Sequence, residues 1–346
     1  MRILVTGGAG FIGSHLVDAL TARDASVIAM DSLDPGVHRG APDYLRSDVD
    51  YCFADLRYWE PDARFDEVEV VVHLAALGGV SRAAREPANI VQANAGGTAR
   101  LVAAARHWRR LRHFILGSSF SVYGANYTYR CDQCGHQQNA ERRTEDLEHG
   151  RFEVICTRCQ GACSVLPIAE PACPSPLETY GASKYMQELC LRGFTHSAVT
   201  VLRFSSVYGK RLRLDDGEAT IIAKLAGWIR SGVIPQLYED GRQMRDWVYV
   251  GDVVSSILAL LEKEPPAGTI NICSGVPTTL LDACSRLAEV IGVGCAPKVV
   301  GGFRPGDMRH CLGDASRMKA LLGRDAVPFR EGAPLAFSHL TPQLVS

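Results

Sequence analysis

Short apolar runs punctuate the first part of the chain: RILVT at 2–6, SVIAM at 26–30, VEVVVHLAA at 68–76, HFILGSS at 113–119 and AVTVLRF at 198–204. Each is too short for a helix and rich in β-branched residues, so each predicts a buried strand. Between them, Phe11 to Thr21 and Ile90 to His107 place apolar residues three and four apart, the spacing of a helix with one buried face. Strand alternating with helix predicts an α/β fold built on a doubly wound parallel sheet. The segment from Arg130 to Cys173 breaks this rhythm, being polar, cysteine-rich and closed by EPACPSP. It reads as an insertion. A helical pattern resumes at ETYGASKYMQELCLRGF, and from Leu212 onward helices and short strands mix less regularly.

Charge narrows the partners. Thirty-seven Lys and Arg against 38 Asp and Glu leave a net charge of -1 over 346 residues. No overall field draws nucleic acid or anionic lipid, so neither nucleic acid nor membrane is an expected partner, and an anionic ligand must be gripped locally. The opening MRILVTGGAG runs from a strand straight into glycines without the apolar core of a signal peptide, and a cytoplasmic location is expected. In a reducing compartment twelve cysteines do not suggest a disulfide framework. Six of them (Cys131, Cys134, Cys156, Cys159, Cys163, Cys173) fall in the insertion, which favours a metal.

The turn TGGAGFIG sets Gly7, Gly10, Phe11, Ile12 and Gly13 between the first strand and first helix. A pyrophosphate needs such a tight turn, a close backbone approach and helix amides aimed at negative charge. The second strand ends on Asp31, where a carboxylate can accept from adenosine ribose hydroxyls and repel a 2′-phosphate. The expected cofactor is NAD rather than NADP.

With that turn, FADL at 53–56, HLAA at 73–76, SSFSVYG at 118–124 and YGASK at 180–184, the chain resembles the extended short-chain dehydrogenase/reductase family that acts on nucleotide sugars. The resemblance spans essentially everything outside the insertion. It implies a Rossmann-type domain over 1–198, carrying a zinc-ribbon-like insertion at 128–172. A smaller α/β domain over 199–346 would bind the nucleotide sugar, with some segments returning to the first sheet. It also implies that Asp55 and Leu56 flank the adenine, that His73, Leu74, Ala75 and Ala76 line the cofactor, and that Asn94 belongs to the helix bracing the catalytic residues. Tyr180 and Lys184, four apart and so on one helix face, would be base and assisting cation, with Lys184 also holding the nicotinamide ribose. Ser119 would hydrogen-bond the sugar oxygen.

Relatives that eliminate water carry Asp-Glu where this chain has Phe120 and Ser121, and decarboxylating relatives keep the Glu. Ser119, Tyr180 and Lys184 alone suffice to remove and return a hydride, which implies epimerisation at C4. The alternatives are a 4,6-dehydratase, a glucuronate decarboxylase and, more distantly, a non-catalytic NAD-binding sensor. Ser81, Ser121, Ser206, Arg245, Arg304 and Asp307 are the candidate substrate contacts, the arginines as bidentate clamps on the diphosphate. The loop MDSLDPGVHRGAPDYL most resembles enzymes of dTDP-6-deoxyhexoses, so a dTDP- or UDP-hexose is expected. The resemblance also implies a homodimer built on two helices, with Leu101, Val102, Met186 and Leu189 available for its interface.

Cys131, Cys134, Cys156 and Cys159 form C-x2-C-x21-C-x2-C, with Gly135 and Gly161 where two knuckles turn. This spacing predicts a closed tetrathiolate site for a structural zinc. The insertion leaves just after Ser119 and returns just before Tyr180, so it is expected to wall the sugar pocket.

Overall fold

The computed structural model describes every residue except 125, 140–141, 215–219, 264–266, 305–307 and 342–346. The chain divides into two units: Met1–Val122, Glu178–Phe204 and Val250–Ile270 form the first, and Tyr123–Leu177, Ser205–Tyr249 and Asn271–Ser346 the second. This differs from a division at 198. Strand Ala198–Phe204 pairs along its whole length with His113–Ser119, which draws it into the first unit. The insertion groups with the second unit instead of the first.

The main sheet consists of strands β1 (Arg2–Thr6), β2 (Ser26–Asp31), β3 (Asp50–Phe53), β4 (Val70–His73), β5 (His113–Ser119) and β6 (Ala198–Phe204) of the first unit, with β7 (Gly268–Ile272), which begins in that unit and ends at the start of the second. They lie in the order β7-β6-β5-β4-β1-β2-β3, and the pairs among β1 to β6 are all parallel. All four residues of β4 and the first six of β5 are buried. Side chains alternate between faces, so unbroken burial requires cover on both. Helices α1 (Phe11–Thr21), α2 (Gly97–Ala105), α3 (Thr179–Leu191) and α4 (Val250–Glu262) provide it, α1 against α4 and α2 against α3. Leu101 and Val102 are 0% and 4% exposed in the core with Trp59, Phe65 and Trp108, so they cannot form a dimer interface. Ahead of α2, Gln92–Gly96 winds as a π turn around the buried Asn94.

In the second unit a three-stranded sheet joins Ser206–Tyr208 in parallel and Pro277–Thr279 in antiparallel to Met244–Tyr249. Helices Ile221–Arg230, Leu280–Ile291 and Phe329–Phe337 close a core around Tyr208, Trp247 and Phe329. The buried Asp246 carboxylate accepts from Ser274 N and Oγ (2.6 and 2.7 Å), Gly275 N (3.0 Å) and Gly313 N (3.3 Å), tying two loops to the central strand. The insertion forms its own antiparallel sheet, with Thr128–Cys131 between Gln137–Asn139 and Cys163–Val165. No helix among the described residues is long and apolar enough to cross a membrane.

Two glycines of the first unit test the packing. A Cβ at Gly13 would sit 2.0 Å from Gly7 O, whereas one at Gly96 meets nothing within 4 Å. Gly13→Ala should therefore lose about 2 kcal/mol or more in urea unfolding, because the helix must back away from the turn. Gly96→Ala should change stability little or raise it slightly. Equal midpoints for the two variants would contradict this account of the turn.

Candidate active site

Gly7 (φ +71°) adopts the left-handed conformation open to glycine, and Gly10 N donates to Gly7 O at 3.0 Å to close the turn. Gly10 is also the N-cap of α1, with no side-chain cap and no acid in the first turn. The first amides of an eleven-residue helix thus face outward beside Phe11, Ile12 and Gly13, an arrangement suited to a diphosphate. At the end of β2, Asp31 accepts from Ala9 N (3.0 Å) and Leu33 N (2.9 Å), which fixes the carboxylate next to that turn. Oδ1 also lies 3.5 Å from His38 Nε2, so Oδ2 is the oxygen better placed to accept from a ribose hydroxyl. The donor set fits a dinucleotide.

Leu74, Ala75 and Ala76 follow β4. A Cβ on Gly7 would lie 2.9 Å from Ala75 N, so this loop lies directly against the glycine turn. Asp55 is paired with Arg57, whose Nη2 lies 2.5 Å away, and Leu56 is a core residue, 7% exposed, beneath Gly97. His73 does not line a cofactor surface: it is 1% exposed and caught between two threonines. Thr98 Oγ1 donates to Asn94 O (2.6 Å), so His73 Nε2–H must donate to Thr98 (2.8 Å) and Nδ1 accept from Thr6 Oγ1 (2.6 Å). Thr6 Oγ1 in turn accepts from Ala75 N. Burial, with the Lys184 ammonium adding to it, pushes His73 down to about 3, which keeps it neutral. Gln187 of α3 joins the chain by donating to Thr98 at 2.7 Å. Asn94 is wholly buried, bonding both ways with Leu77 and donating to Ser183 Oγ. Its influence on the site passes through those two residues.

Ser119 ends β5, and its Oγ accepts from Ser121 N (3.1 Å) and donates to Ser121 Oγ (3.2 Å). Phe120 between them is 3% exposed and points into the core, leaving Ser121 as the neighbour that shares the site. Tyr180 sits in the first turn of α3, near enough to Ser119 for that hydroxyl to favour its ionised form. Burial raises the phenol to about 12; the Ser119 hydroxyl opposes the rise and the Glu178 carboxylate adds to it. Lys184 does not supply the expected depression. Its ammonium turns to Gly117 O at 2.6 Å and is itself pushed down to about 7 by burial, with Glu188 opposing. Glu188 is held by Arg203 (2.7 Å) and Ser118 (2.6 Å), a buried pair one turn beyond Lys184 that motif reading missed. Glu178 was also missed: it caps α3 by accepting from Tyr180 N (2.6 Å) and Gly181 N (2.7 Å), a role signalled by an acid just ahead of a helical pattern. Ser81 is exposed on the short helix Val80–Arg85 of the same unit.

Of the candidate substrate contacts in the second unit, Ser206 opens its strand half-buried opposite Trp247. Arg245 donates to the carbonyls of Met244 (2.9 Å), Arg309 (2.7 Å) and Met308 (3.3 Å). Arg304 is exposed with its guanidinium 5.2 Å from the Tyr238 ring centroid, and Asp307 lies outside the described residues. The sequence gives no hint of the network at Arg309, whose charged partners Glu153, Glu239 and Asp240 are remote along the chain.

The four sulfurs of Cys131, Cys134, Cys156 and Cys159 all lie within 4.8 Å of one another. Tetrahedral zinc with Zn–S near about 2.3 Å needs sulfurs about 3.8 Å apart, so the set fits. Cys134 N and Arg158 N point at the Sγ atoms of Cys131 (3.5 Å) and Cys156 (3.4 Å), donors that favour thiolate. One knuckle turns at Gly135 (φ +70°). The other turns at Gln160 (φ +60°), not at Gly161, whose missing side chain instead makes room for Gln133, 2.8 Å from where its Cβ would be.

The family model described as "NAD dependent epimerase/dehydratase family" matches residues 3–273. The dTDP-L-rhamnose 4-epimerase of Burkholderia thailandensis is 33% identical over 336 residues, covering 93% of this chain and 90% of that protein. UDP-glucuronic acid decarboxylase 1 of Arabidopsis thaliana is 28% identical across 100% of this chain and 71% of that one. A crystal structure of the UDP-glucose 4-epimerase of Thermus thermophilus in complex with NAD superposes with a TM-score of 0.75 at 28% identity, covering 98% and 99% of the two chains.

The buried lysine leaves a pH signature. Its folded pKa of about 7 lies below the 10.5 of a free lysine, so between these values the unfolded chain holds a proton that the folded chain lacks. The destabilisation is fully present below pH 7 and fades as pH rises toward 10.5. In urea unfolding of the ligand-free protein, Lys184→Met should gain most over wild type at about pH 7 and progressively less toward about pH 9.5. A pH-independent difference would rule out the buried-ammonium account.

Proposed function

The chain belongs to the NAD dependent epimerase/dehydratase family, and within it we propose a nucleotide-sugar 4-epimerase acting on a nucleoside-diphosphate hexose, favoured as a dTDP-6-deoxyhexose. One observation carries the reading. The group Ser119, Ser121 and Tyr180 contains no carboxylate free to act as a second acid or base. Position 120 points into the core, position 121 is a serine, and Glu178 is committed to capping α3. Eliminating water needs such a group; exchanging configuration at C4 does not.

Bound at the glycine turn and Asp31, NAD would accept a hydride from C4 and return it, and its positive ring would favour the phenolate. Tyr180 takes the C4 hydroxyl proton as C4 is oxidised and returns it on reduction. Ser119 holds the sugar oxygen in line with Tyr180, and Lys184 holds the ribose of the cofactor. In the second unit, Arg245 and Arg304 grip the diphosphate, with Ser206 nearer the sugar. Met186 and Leu189 on α3, 40% and 39% exposed, remain as the apolar contribution to a homodimer. The four cysteines hold a structural zinc, with no open coordination position for water.

NMR of C4 in dTDP- and UDP-hexoses incubated with the protein should show inversion with no change in mass. A product lacking water or carbon dioxide would replace this reading with dehydration or decarboxylation, and no turnover would favour a sensor. Tyr180→Phe should lower kcat by about a thousandfold with NAD still bound, because the ring packs as before without its proton site. Metal analysis should find one zinc per chain, lost in a Cys156→Ser/Cys159→Ser variant; metal-free wild type would defeat the tetrathiolate.

A further inference from the structure

Arg309 is where the charges of the second unit converge. Its side chain is 1% exposed. Nε and Nη2 donate to Glu153 Oε1 (2.9 and 2.6 Å), Nη1 to Glu239 Oε2 (2.5 Å) and Asp240 Oδ1 (3.0 Å), and Nη2 to Asp240 Oδ2 (2.9 Å). Glu239, 4% exposed, also accepts from Arg142 Nη1 at 2.6 Å. Its φ of +53° is a left-handed conformation that disfavours a residue with a Cβ, so placing its carboxylate between two arginines carries backbone strain. Arg142 and Glu153 come from the insertion, and Glu153 stands three residues ahead of the Cys156 knuckle.

The backbone of Arg309 is also a partner of Arg245. Of the five N–H donors of the Arg245 guanidinium, three go to the carbonyls of Met244, Arg309 and Met308, which leaves two without a hydrogen bond among the described residues. Glu153 also accepts from His310 Nε2 at 3.0 Å, while His310 Nδ1 accepts from Met244 N at 3.1 Å. One carboxylate thus holds Arg309 and His310, and through their backbone and Met244 it fixes the frame in which Arg245 is set.

We propose that Glu153 is a positioning residue that makes the four-cysteine insertion part of the grip on the nucleoside diphosphate. With the knuckles closed on a metal, Glu153 is presented to Arg309 and His310, and Arg245 is aimed. With the metal gone, the segment before Cys156 loses its anchor and the aim is lost. The insertion then governs diphosphate affinity, an effect separate from walling a sugar. The proposal rests on the nucleotide-sugar reading given above.

Calorimetric titration of UDP and dTDP into the zinc-loaded protein tests it. Glu153→Gln keeps the shape but turns an amide donor toward His310 or Arg309, so it should weaken the diphosphate that wild type binds by about tenfold, with zinc content and NAD affinity unchanged. Chelating zinc from wild type should weaken the same diphosphate by a similar factor, yet change the Glu153→Gln variant by less than about twofold, the route being already cut. A variant with the wild-type Kd, or an equal loss on chelation in both proteins, overturns the proposal. If chelation also abolishes NAD binding, the chain has unfolded, and the zinc-loaded variant alone decides. Wild type that binds neither diphosphate overturns the nucleotide-sugar reading itself, a result distinct from a variant that binds as wild type does.

Discussion

The placement of the Tyr180 helix hangs on one uncharged imidazole. His73 stands at the end of β4 and passes hydrogen bonds in a single direction: Ala75 N to Thr6, Thr6 to His73, His73 to Thr98, Thr98 to Asn94 O. A proton on Nδ1 would turn that acceptor into a donor, so the Thr6 hydroxyl could only accept from both sides and its own proton would lose the acceptor it has in His73. Burial to a pKa of about 3 removes that outcome at any physiological pH. Breaking one buried link costs about 1–3 kcal/mol, and here each link also holds something: the loop against the glycine turn, the π turn, or α3 through Gln187 and Ser183.

The second unit meets the same need with charge. The described part of the insertion buries few large apolar side chains, Tyr129, Leu147, Val154 and Val165 among them. So small a core does not offset the entropy of ordering some forty residues. What orders it is directional: four converging sulfurs at one end and a lattice of carboxylates on Arg142 and Arg309 at the other. Burial works against the Glu153 carboxylate, yet His310 and Arg309 hold it at about 2. Buried ion pairs add little net stability over apolar packing, but removing one partner is severe, so they specify an arrangement more than they strengthen it.

These two strategies explain what was legible in the sequence. β1, β5, β6 and α1 coincide with runs read from hydrophobic pattern, because strands covered on both faces must be apolar throughout. The glycine turn, Asp31 and the cysteine spacing were legible because each demands a particular residue at a fixed short separation. The resemblance put a dimer interface on this helix, and apolar residues there do not say whether they meet their own core or a second chain, so Leu101 and Val102 were misread. The assumption that only glycine turns a knuckle hid Gln160. The Arg309 network leaves no trace in any window of sequence, since its members meet only once the chain has folded.

Charge at the catalytic helix follows from burial in a way that residue spacing could not give. Four residues apart, Tyr180 and Lys184 suggest a phenolate beside an ammonium, yet burial works against both charges. It drives the phenol up to about 12 and the amine down to about 7, so the ligand-free site is set toward the neutral pair. Ser119 alone opposes this for the tyrosine and Glu188 alone for the lysine. On the proposed reading, the missing contribution is the positive ring of the oxidised cofactor, which favours the phenolate and disfavours a second cation next to it. A base favoured beside an oxidised cofactor would then be available when C4 is to be oxidised. On that reading, once the ring had lost its charge the same burial would hold the proton on Tyr180, keeping it in place for return to the sugar oxygen as C4 is reduced and the ring regains its charge.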